Sequence, residues 1–262
     1  SAVKQGVNFK LGMRVQDLIL NDKGRVIGVT ATDKVGNKYE FTSKDGVILA
    51  TGGYSQNKEM RQKSAPHLTP EMVSTNQPGA TGDGIVIATR HGADTTGMNY
   101  VQVYPLATPG TGALQGRARK MSGLDDVIDV NKNGERFVRE DGRRDDISLA
   151  ALAQTDALFY MLESSDVITD PDNQYDLLGV PMSECINAGA IIVGDTLEAL
   201  CEKVGWDYET VKAQIDEYNA NVDANALKDE YGRPLAGHDV YIKLDSTIYG
   251  PQKTGQNGVV LF

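Results

Sequence analysis

The sequence is poor in the residues that build disulfide scaffolds and metal sites. It contains two cysteines and three histidines among 262 residues. Cys185 and Cys201 make no disulfide framework, and together with the scattered histidines they make no metal-ligand set. The sequence therefore favours neither a disulfide-rich scaffold nor a cysteine–histidine metal centre.

Long apolar runs and an excess of positive charge are also missing. No apolar run approaches the ~18 residues needed to cross a bilayer, so no membrane span is predicted. The 36 acidic residues outnumber the 26 lysines and arginines, which gives a formal net charge of −10. Because no basic stripe is present, nucleic acid is not expected as a partner. The remaining composition is that of an ordinary globular protein with one large domain or two smaller ones.

Glycine, in contrast, is abundant and concentrated in two segments. Residues 46–53 read Gly-Val-Ile-Leu-Ala-Thr-Gly-Gly, and residues 74–84 read Ser-Thr-Asn-Gln-Pro-Gly-Ala-Thr-Gly-Asp-Gly. We predict a buried strand over 46–50 that ends in the diglycine. Because glycine lacks a β-carbon, the peptide N–H groups there can approach phosphate or ribose oxygens of a large anionic cofactor. Asp83 is predicted to accept a ribose hydroxyl or to cap the following helix, and the two roles are compatible.

Together these segments resemble the fumarate reductase and succinate dehydrogenase flavoprotein family. The likeness is to its soluble bacterial branch, the flavocytochrome c- and urocanate-reductase-like proteins that reduce unsaturated acids. In this family both segments line the FAD site, so the resemblance implies FAD as the cofactor. The cofactor-binding residues that it implies are Val15, Ala50, Thr51, Gly52, Gly53, Asn76, Gln77, Thr81, Gly82 and Asp83. Val15 enters this set through an expected backbone contact to the adenine.

The resemblance covers nearly the whole chain but only the middle of the family pattern. The sequence lacks the family's opening unit, in which a strand is followed by Gly-x-Gly-x-x-Gly and a helix. It also lacks the family's closing glycine-rich stretch. The chain is therefore expected to be an internal fragment that binds FAD weakly or not at all in isolation. The expected fold class combines α/β and α+β structure. It comprises a partial, Rossmann-like FAD-binding domain at 1–103, an α+β capping (clamp) domain at 104–245 and a return segment at 246–262.

Apolar periodicity predicts the secondary structure between these landmarks. The predicted elements are β structure over 7–49, helices over 57–63 and 85–91, a strand over 100–104, a hairpin over 127–138, a helix over 147–163, a helix with a capping box beginning at Asp195, and a helix from Trp206 to Tyr218. Trp206 is predicted to be a packing residue rather than a platform for substrate.

One arginine stands where relatives carry their active-site residue. Residues 141–148, Asp-Gly-Arg-Arg-Asp-Asp-Ile-Ser, match a family Thr-Arg-Asp segment that precedes the first long clamp helix. The resemblance implies that Arg144 protonates the α-carbon of the substrate while flavin N5 delivers hydride to the β-carbon. Adjacent Arg143 and a helix beginning at about Asp146 both disfavour the cation. Alternatively, Arg143 and Arg144 pair with nearby aspartates as a solvated turn.

Departures from the fumarate-reducing pattern concern the substrate. Tyr104 stands in place of a family histidine, the expected Thr-Glu is missing from the 110–120 stretch, and Lys253 follows Gln252 where a histidine pair is found. Fumarate is therefore not the expected substrate, and an aryl-acrylate or urocanate fits better. Tyr104, Lys253 and Lys120 are the candidate substrate-binding residues. The basic cluster of Arg117, Arg119 and Lys120 equally fits an exposed loop.

Three functions are compatible with these observations. The first is a flavin-dependent ene-reductase for α,β-unsaturated carboxylates, with an FMN- or haem-bearing domain or protein as electron donor. The second is a flavin-dependent dehydrogenase of the same fold, such as one acting on 3-oxosteroids. The third is a non-catalytic domain that binds a partner through its acidic surface. The resemblance implies a bacterial protein, and the sequence indicates no compartment.

Overall fold

The computed structural model describes residues 2–68, 72–105, 127–164, 170–176, 179–237, 248–250 and 260–261. The chain divides into two compact units. Unit 1 consists of Ser1–His67 and Gln77–Tyr100, and unit 2 consists of Leu68–Asn76 and Val101–Phe262. Within the described ranges, no helix combines the length and the apolar character that crossing a bilayer requires. The functional domains expected at 1–103, 104–245 and 246–262 stay a prediction.

Unit 1 begins with a three-stranded antiparallel meander. Its strands are β1 (Arg14–Leu20), β2 (Val26–Thr32) and β3 (Lys38–Thr42), in the order β1-β2-β3. Asn21 forms the first turn, because its side-chain oxygen accepts a hydrogen bond of 3.0 Å from Lys23 N and its carbonyl accepts one from Gly24 N. The predicted β structure is confirmed from residue 14 to residue 42, whereas residues 7–13 form no strand.

Two helices complete unit 1, namely α1 (Lys58–Ser64) and α2 (Asp83–Arg90). The side chain of Asn57 caps α1 by accepting a hydrogen bond of 3.0 Å from Met60 N. Gly82 precedes α2 with φ +77, and a β-carbon there would lie 2.6 Å from Met60 Sδ. Glycine is therefore required for both backbone conformation and space. Both predicted helices are confirmed, and α2 begins two residues earlier than expected.

The buried strand predicted over 46–50 is wrong. These residues form no strand, and the side chains of Ile48 and Leu49 are 92% and 42% exposed. A strand acquires its backbone hydrogen bonds from a neighbouring strand. None of the strands described here lies beside this segment. The apolar run therefore lacks the pairing partner on which the prediction depended.

Unit 2 contains two sheets and four helices among its described residues. The larger sheet is antiparallel and has the order β6-β7-β9-β8, with β6 Val127–Asn131, β7 Phe159–Ser164, β8 Ile192–Gly194 and β9 Ile248–Gly250. The smaller sheet has the order β4-β10-β5, with β4 Val73–Ser74, β5 Val103–Tyr104 and β10 Val260–Leu261. The helices are α3 Arg144–Leu152, α4 Met182–Asn187, α5 Leu197–Val204 and α6 Tyr208–Asp223.

The core of unit 2 forms where α5 and α6 pack against β6 and β7. Trp206 lies in this core at 7% exposure, and its indole Nε1 donates a hydrogen bond of 3.1 Å to the carbonyl of Lys132. The packing role predicted for Trp206 is confirmed. The helix start predicted at Asp195 is wrong by one residue, because Thr196 caps α5 by accepting from Ala199 N. Asp207 caps α6, which continues to Asp223 rather than ending at Tyr218.

The long helix predicted over 147–163 is also wrong. Helix α3 ends at Leu152, and residues 159–164 form β7. In β7, residues 159–162 are all buried, so the run is apolar on both faces of the sheet. Periodicity alone does not distinguish such a run from a buried helix. Antiparallel pairing with β6, in which Asn131 lies opposite Phe159, decides the structure.

A glycine at the end of β8 tests how closely this sheet packs on α5. A β-carbon on Gly194 would lie 2.5 Å from Leu200 N and 2.7 Å from Leu200 Cα, both of them backbone atoms. Because helix backbone cannot rotate aside, Gly194→Ala is expected to lower the free energy of unfolding by about 3 kcal/mol. Urea unfolding measures this loss through the fluorescence of the single tryptophan, Trp206, which reports on the same core.

The matched control is Gly189→Ala in the same unit. There a β-carbon would meet open space and only the φ of +71 is unfavourable. The control is expected to cost about 1 kcal/mol, from backbone strain alone. Equal losses in the two variants would contradict the packing argument.

Candidate functional site

In unit 1, the segment that ends in the diglycine lies beside residues 77–84 of the second glycine-rich segment. Gly82 N donates a hydrogen bond of 3.1 Å to the carbonyl of Gly53, and Gln56 N donates one of 2.9 Å to the carbonyl of Ala80. A third bond of 3.0 Å runs from Asn57 Nδ2 to the backbone oxygen of the next residue, 81. The structure thus joins the diglycine to the Gly-Asp-Gly turn, two features that the sequence separates by almost thirty residues.

The backbone around the diglycine is open. Ala50, Thr51, Gly52 and Gly53 are all exposed, and Gly52 has a φ of +74. A β-carbon on Gly52 or Gly53 would meet no atom within 4 Å, whereas one on Gly84 would collide with Thr51 Oγ1. The segment therefore combines close packing on one side with free space on the other. This arrangement fits the close approach of a nucleotide to backbone N–H groups.

Asp83 is held by one partner on β1 and one in the turn before α2. Its carboxylate accepts hydrogen bonds of 2.9 Å from Arg14 Nε and 2.8 Å from Thr81 Oγ1. The hydrogen bond from Arg14 contributes most to holding the pKa of Asp83 below its usual value, and the bond from Thr81 contributes next. Partial burial opposes this shift. Gly82 rather than Asp83 is the residue at the cap of α2. The carboxylate lies in the first turn, where the helix dipole favours negative charge.

A small cavity of about 130 Å³ brings three of the predicted cofactor residues together. Val15 on β1, Thr81 and Asp83 all line it. A second contact between β1 and α2, in addition to that of Arg14 with Asp83, lies outside the cavity. There His91 Nε2 and Asp17 Oδ1 are 2.6 Å apart. β1 and α2 are thus connected at both ends of the helix.

The remaining two residues of the predicted cofactor set fall in different units. Gln77 belongs to unit 1, where its carbonyl accepts a hydrogen bond of 3.0 Å from Ala80 N in the turn before the Gly-Asp-Gly sequence. Asn76 belongs to unit 2, and its backbone N–H donates a bond of 3.1 Å to Ser74 Oγ. Their predicted contacts to a cofactor stay predictions.

The predicted catalytic arginine and the predicted substrate tyrosine meet in unit 2. Arg144 is the first residue of α3, and its Cζ lies 5.1 Å from the centroid of the Tyr104 ring. This is the geometry of a cation–π contact. Tyr104 lies on β5 and is buried at 6% exposure, whereas Arg144 is exposed. The ring therefore supports one face of a guanidinium that remains accessible.

The alternative interpretation expected Arg143 and Arg144 to pair with nearby aspartates, and the structure shows such a pair for Arg143, beside a further surface pair that the interpretation did not include. Arg143 Nη2 lies 2.9 Å from Asp145 Oδ2, and Arg139 Nη2 lies 2.6 Å from Asp141 Oδ2. The hydrogen bonds that Arg143 donates to Asp145 raise the pKa of Arg143. Among the residues that the structure describes, no carboxylate lies within ion-pair distance of the Arg144 guanidinium. Arg143 therefore forms the ion pair that the alternative interpretation expected, whereas Arg144 contacts the Tyr104 ring.

Both lysines that are predicted to bind substrate belong to parts of the chain that the structure does not describe. Lys120 and Lys253 lie outside the described residues, and so do Arg117 and Arg119 of the basic cluster. Their roles stay predictions.

Sequence reasoning missed a buried ion cluster in unit 2, formed by Arg136, Glu140, Asp229 and Arg233. These side chains are 0–1% exposed. Arg136 Nη2 lies 3.0 Å from Glu140 Oε2 and 2.8 Å from Asp229 Oδ2, while Arg233 Nη1 lies 2.9 Å from Glu140 Oε2. Burial opposes the charge of Arg136, but the two carboxylates outweigh it and raise its pKa. No local pattern links residues 136–140 to residues 229–233, so the sequence carried no signal for this cluster.

A comparison with protein families accounts for the glycine-rich segments. The model of the family described as FAD binding domain matches residues 1–251. The chain belongs to this FAD-binding family. The predicted flavoprotein resemblance and the predicted cofactor, FAD, are confirmed.

Two relatives of this chain reduce unsaturated acids, as their names state. The chain is 34% identical over 234 residues to the urocanate reductase of Eggerthella lenta, covering 87% of this chain and 38% of the relative. It is 35% identical over 218 residues to the NADH:acrylate oxidoreductase of Vibrio harveyi, covering 80% of this chain and 21% of the relative. The chain thus spans at most 38% of the length of these two relatives.

A solved structure supports the same family at the level of the fold. The chain matches the open conformation of a flavocytochrome c3 fumarate reductase with a TM-score of 0.74 and 28% identity. The match covers 99% of this chain and 42% of that chain. The predicted fold class, a mixture of helices and sheets that includes part of an FAD-binding domain, is confirmed.

Proposed function

We propose that the protein containing this chain is an FAD-dependent reductase of the carbon–carbon double bond in α,β-unsaturated carboxylates. The observation that carries the proposal is the contact between Arg144 and Tyr104. In this contact the exposed guanidinium that we expect to protonate substrate lies against the ring of the residue that we expect to select it, and no carboxylate among the described residues pairs with that guanidinium. The relatives that act on urocanate and acrylate support this class of substrate.

The residues of unit 1 fit the cofactor that the family binds. The open backbone of Gly52 and Gly53 would receive phosphate or ribose oxygens, and the carboxylate of Asp83 would accept a ribose hydroxyl. Val15 would meet the adenine through its backbone. When bound, FAD would supply the hydride that its N5 atom delivers to the β-carbon of the substrate.

Arg144 would supply the other half of the reduction. Its planar fork can hold the substrate carboxylate and steady the charge that develops on it. Arg144 is the first residue of α3, and from there it would pass a proton to the α-carbon. Hydride on one carbon and a proton on the other convert the double bond to a single bond. The two electrons would come from an FMN- or haem-bearing donor, and water would supply one proton to the flavin and one to exposed Arg144.

Tyr104 would decide which acids are accepted. It stands where fumarate reducers carry a histidine, and its phenol replaces a side chain that can carry positive charge by an uncharged one. Without that charge, an aromatic or neutral substrate end is favoured over the second carboxylate of fumarate. Lys253 and Lys120 are proposed as further contacts to the single carboxylate.

Substitution of Tyr104 tests this proposal through substrate preference. In the full-length enzyme, Tyr104→His is expected to shift the kcat/KM ratio from aryl-acrylates and urocanate toward fumarate by about tenfold to a hundredfold. The flavin content should not change, because Tyr104 belongs to unit 2 and is not among the predicted cofactor residues. Steady-state assays with reduced methyl viologen and a panel of unsaturated acids measure the ratio.

The matched control is Tyr104→Phe, which keeps the ring face and removes only the hydroxyl. It is expected to keep the preference for aromatic acids. A Tyr104→His enzyme with the unchanged ratio would contradict the role of this residue in specificity. Turnover of a 3-oxosteroid, with no turnover of any unsaturated acid, would favour the alternative dehydrogenase.

A further inference from the structure

The buried ion cluster contains a carboxylate that is fully engaged by hydrogen bonds. Glu140 Oε1 accepts bonds of 3.0 Å from Asp129 N and from Arg136 Nε, and Oε2 accepts 3.0 Å from Arg136 Nη2 and 2.9 Å from Arg233 Nη1. The Glu140 side chain is 0% exposed. Because four donors converge on it within an enclosed volume, the carboxylate has a single available position.

The partners of Glu140 are themselves tied to other parts of unit 2. Arg233 Nη1 also donates 2.8 Å to the carbonyl of Val127 at the start of β6, and the Tyr231 hydroxyl donates 2.7 Å to the carbonyl of Arg136. Arg136 Cζ lies 5.5 Å from the ring centroid of Tyr218 on α6. The cluster thus connects Glu140 to the sheet and to the longest helix of the unit.

Only three residues, 141–143, separate Glu140 from Arg144. The chain turns immediately after Glu140, where Gly142 N donates 3.2 Å to the carbonyl of Arg139. It then enters α3, whose residue Ile147 is 4% exposed and packs in the interior. Arg144 is therefore held between a buried anchor on one side and a buried helix residue on the other.

We infer that Glu140 is a positioning residue for Arg144, which it holds at a set distance from the Tyr104 ring by fixing the turn at 140–143. The inference rests on the proposed role of Arg144 as proton donor. Glu140 touches neither substrate nor cofactor in this role. A displacement of the donor by about 1 Å is enough to lower a catalytic rate about a hundredfold, so the anchor matters to rate as well as to stability.

Asp229 offers a comparison within the same cluster. It also holds Arg136, at 2.8 Å, and is also fully buried, but it lies 85 residues further along the chain from Arg144. A purely structural role predicts that loss of either carboxylate has the same consequences. A positioning role predicts that loss of Glu140 alone affects the chemistry in addition to stability.

The test compares Glu140→Gln with Asp229→Asn in the full-length, flavin-loaded enzyme. Glu140→Gln is expected to lower kcat by about tenfold to a hundredfold, with KM for the unsaturated acid within about threefold of wild type. Both variants are expected to lower the melting temperature by similar amounts. Asp229→Asn, however, is expected to leave kcat within about threefold of wild type. Flavin absorbance, thermal unfolding and steady-state kinetics with reduced methyl viologen supply the readouts.

Equal losses of kcat in the two variants, or wild-type kcat in Glu140→Gln, would overturn the inference. If Glu140→Gln does not fold, Glu140→Asp takes its place, since it keeps the charge and withdraws the carboxylate by one methylene. The same selective loss of kcat is expected there, and unchanged kcat overturns the inference. Failure of the proposed function is distinguishable, because Arg144→Ala would then retain turnover, whereas failure of the positioning role alone leaves Arg144→Ala inactive.

Discussion

Arg144→Ala is expected to lower kcat for unsaturated acids by about a thousandfold or more while the full-length enzyme keeps its FAD. The side chain is exposed and makes no ion pair with any carboxylate that the structure describes, so its removal leaves neither a buried cavity nor an orphaned charge. The loss should therefore appear in the chemistry and not in folding. Oxidation of reduced methyl viologen measures turnover, and flavin absorbance measures cofactor content.

Arg143→Ala is the natural control, because it removes the same group one residue earlier. The Arg143 side chain is 78% exposed and pairs with Asp145, an arrangement that contributes little to stability. This variant is expected to keep kcat within about threefold of wild type. Full activity in Arg144→Ala would remove the mechanistic assignment and would favour a non-catalytic binding domain. Equal losses in both variants would indicate that the local charge matters rather than one residue.

The second large effect concerns stability and the ion cluster. Arg136→Met is expected to lower the free energy of unfolding of unit 2 by about 3–5 kcal/mol. The substitution leaves Glu140 and Asp229 buried with Arg233 as the one remaining cation of the cluster, and a buried carboxylate without its partner is costly. Urea unfolding followed by the fluorescence of Trp206 measures the change, because that residue belongs to the core of the same unit.

Arg139→Met is the control for this effect. The pair between Arg139 and Asp141 lies at the surface, with side chains 42% and 32% exposed, only three residues from Arg136. Its loss is expected to cost less than about 1 kcal/mol. Similar losses in the two variants would show that the buried cluster stabilises the unit no more than an ordinary surface pair does.

Local patterns predicted the features whose physical cause is local. The glycines at 52, 53, 82 and 84 indicated close approach of a backbone to a cofactor, and the family comparison bears out that cofactor. Helices α1 and α2 were predicted because capping and apolar spacing act within a few residues. Arg144 was singled out from the segment around it, although nothing in that segment indicated which ring it would face.

Predictions that depended on distant partners failed. The apolar runs at 46–50 and 158–163 have almost the same character, yet none of the described strands pairs with the first, whereas the second lies inside a sheet. A short apolar run specifies burial, and only its neighbours specify strand or helix. The ion cluster was not predicted for the same reason. Charged residues are expected at the surface unless the partners that neutralise them are known.

By itself, the sequence determined the family, the cofactor and the identity of the candidate arginine, because glycine conformation and short motifs require no long-range contacts. Only the tertiary structure decided that Arg144 faces Tyr104 and that Glu140 lies locked between Arg136 and Arg233. The contacts of Arg144 with Tyr104 and of Glu140 with Arg233 join residues that are far apart along the chain. They exist because antiparallel strand pairing and core packing bring the segments together, which no local pattern encodes.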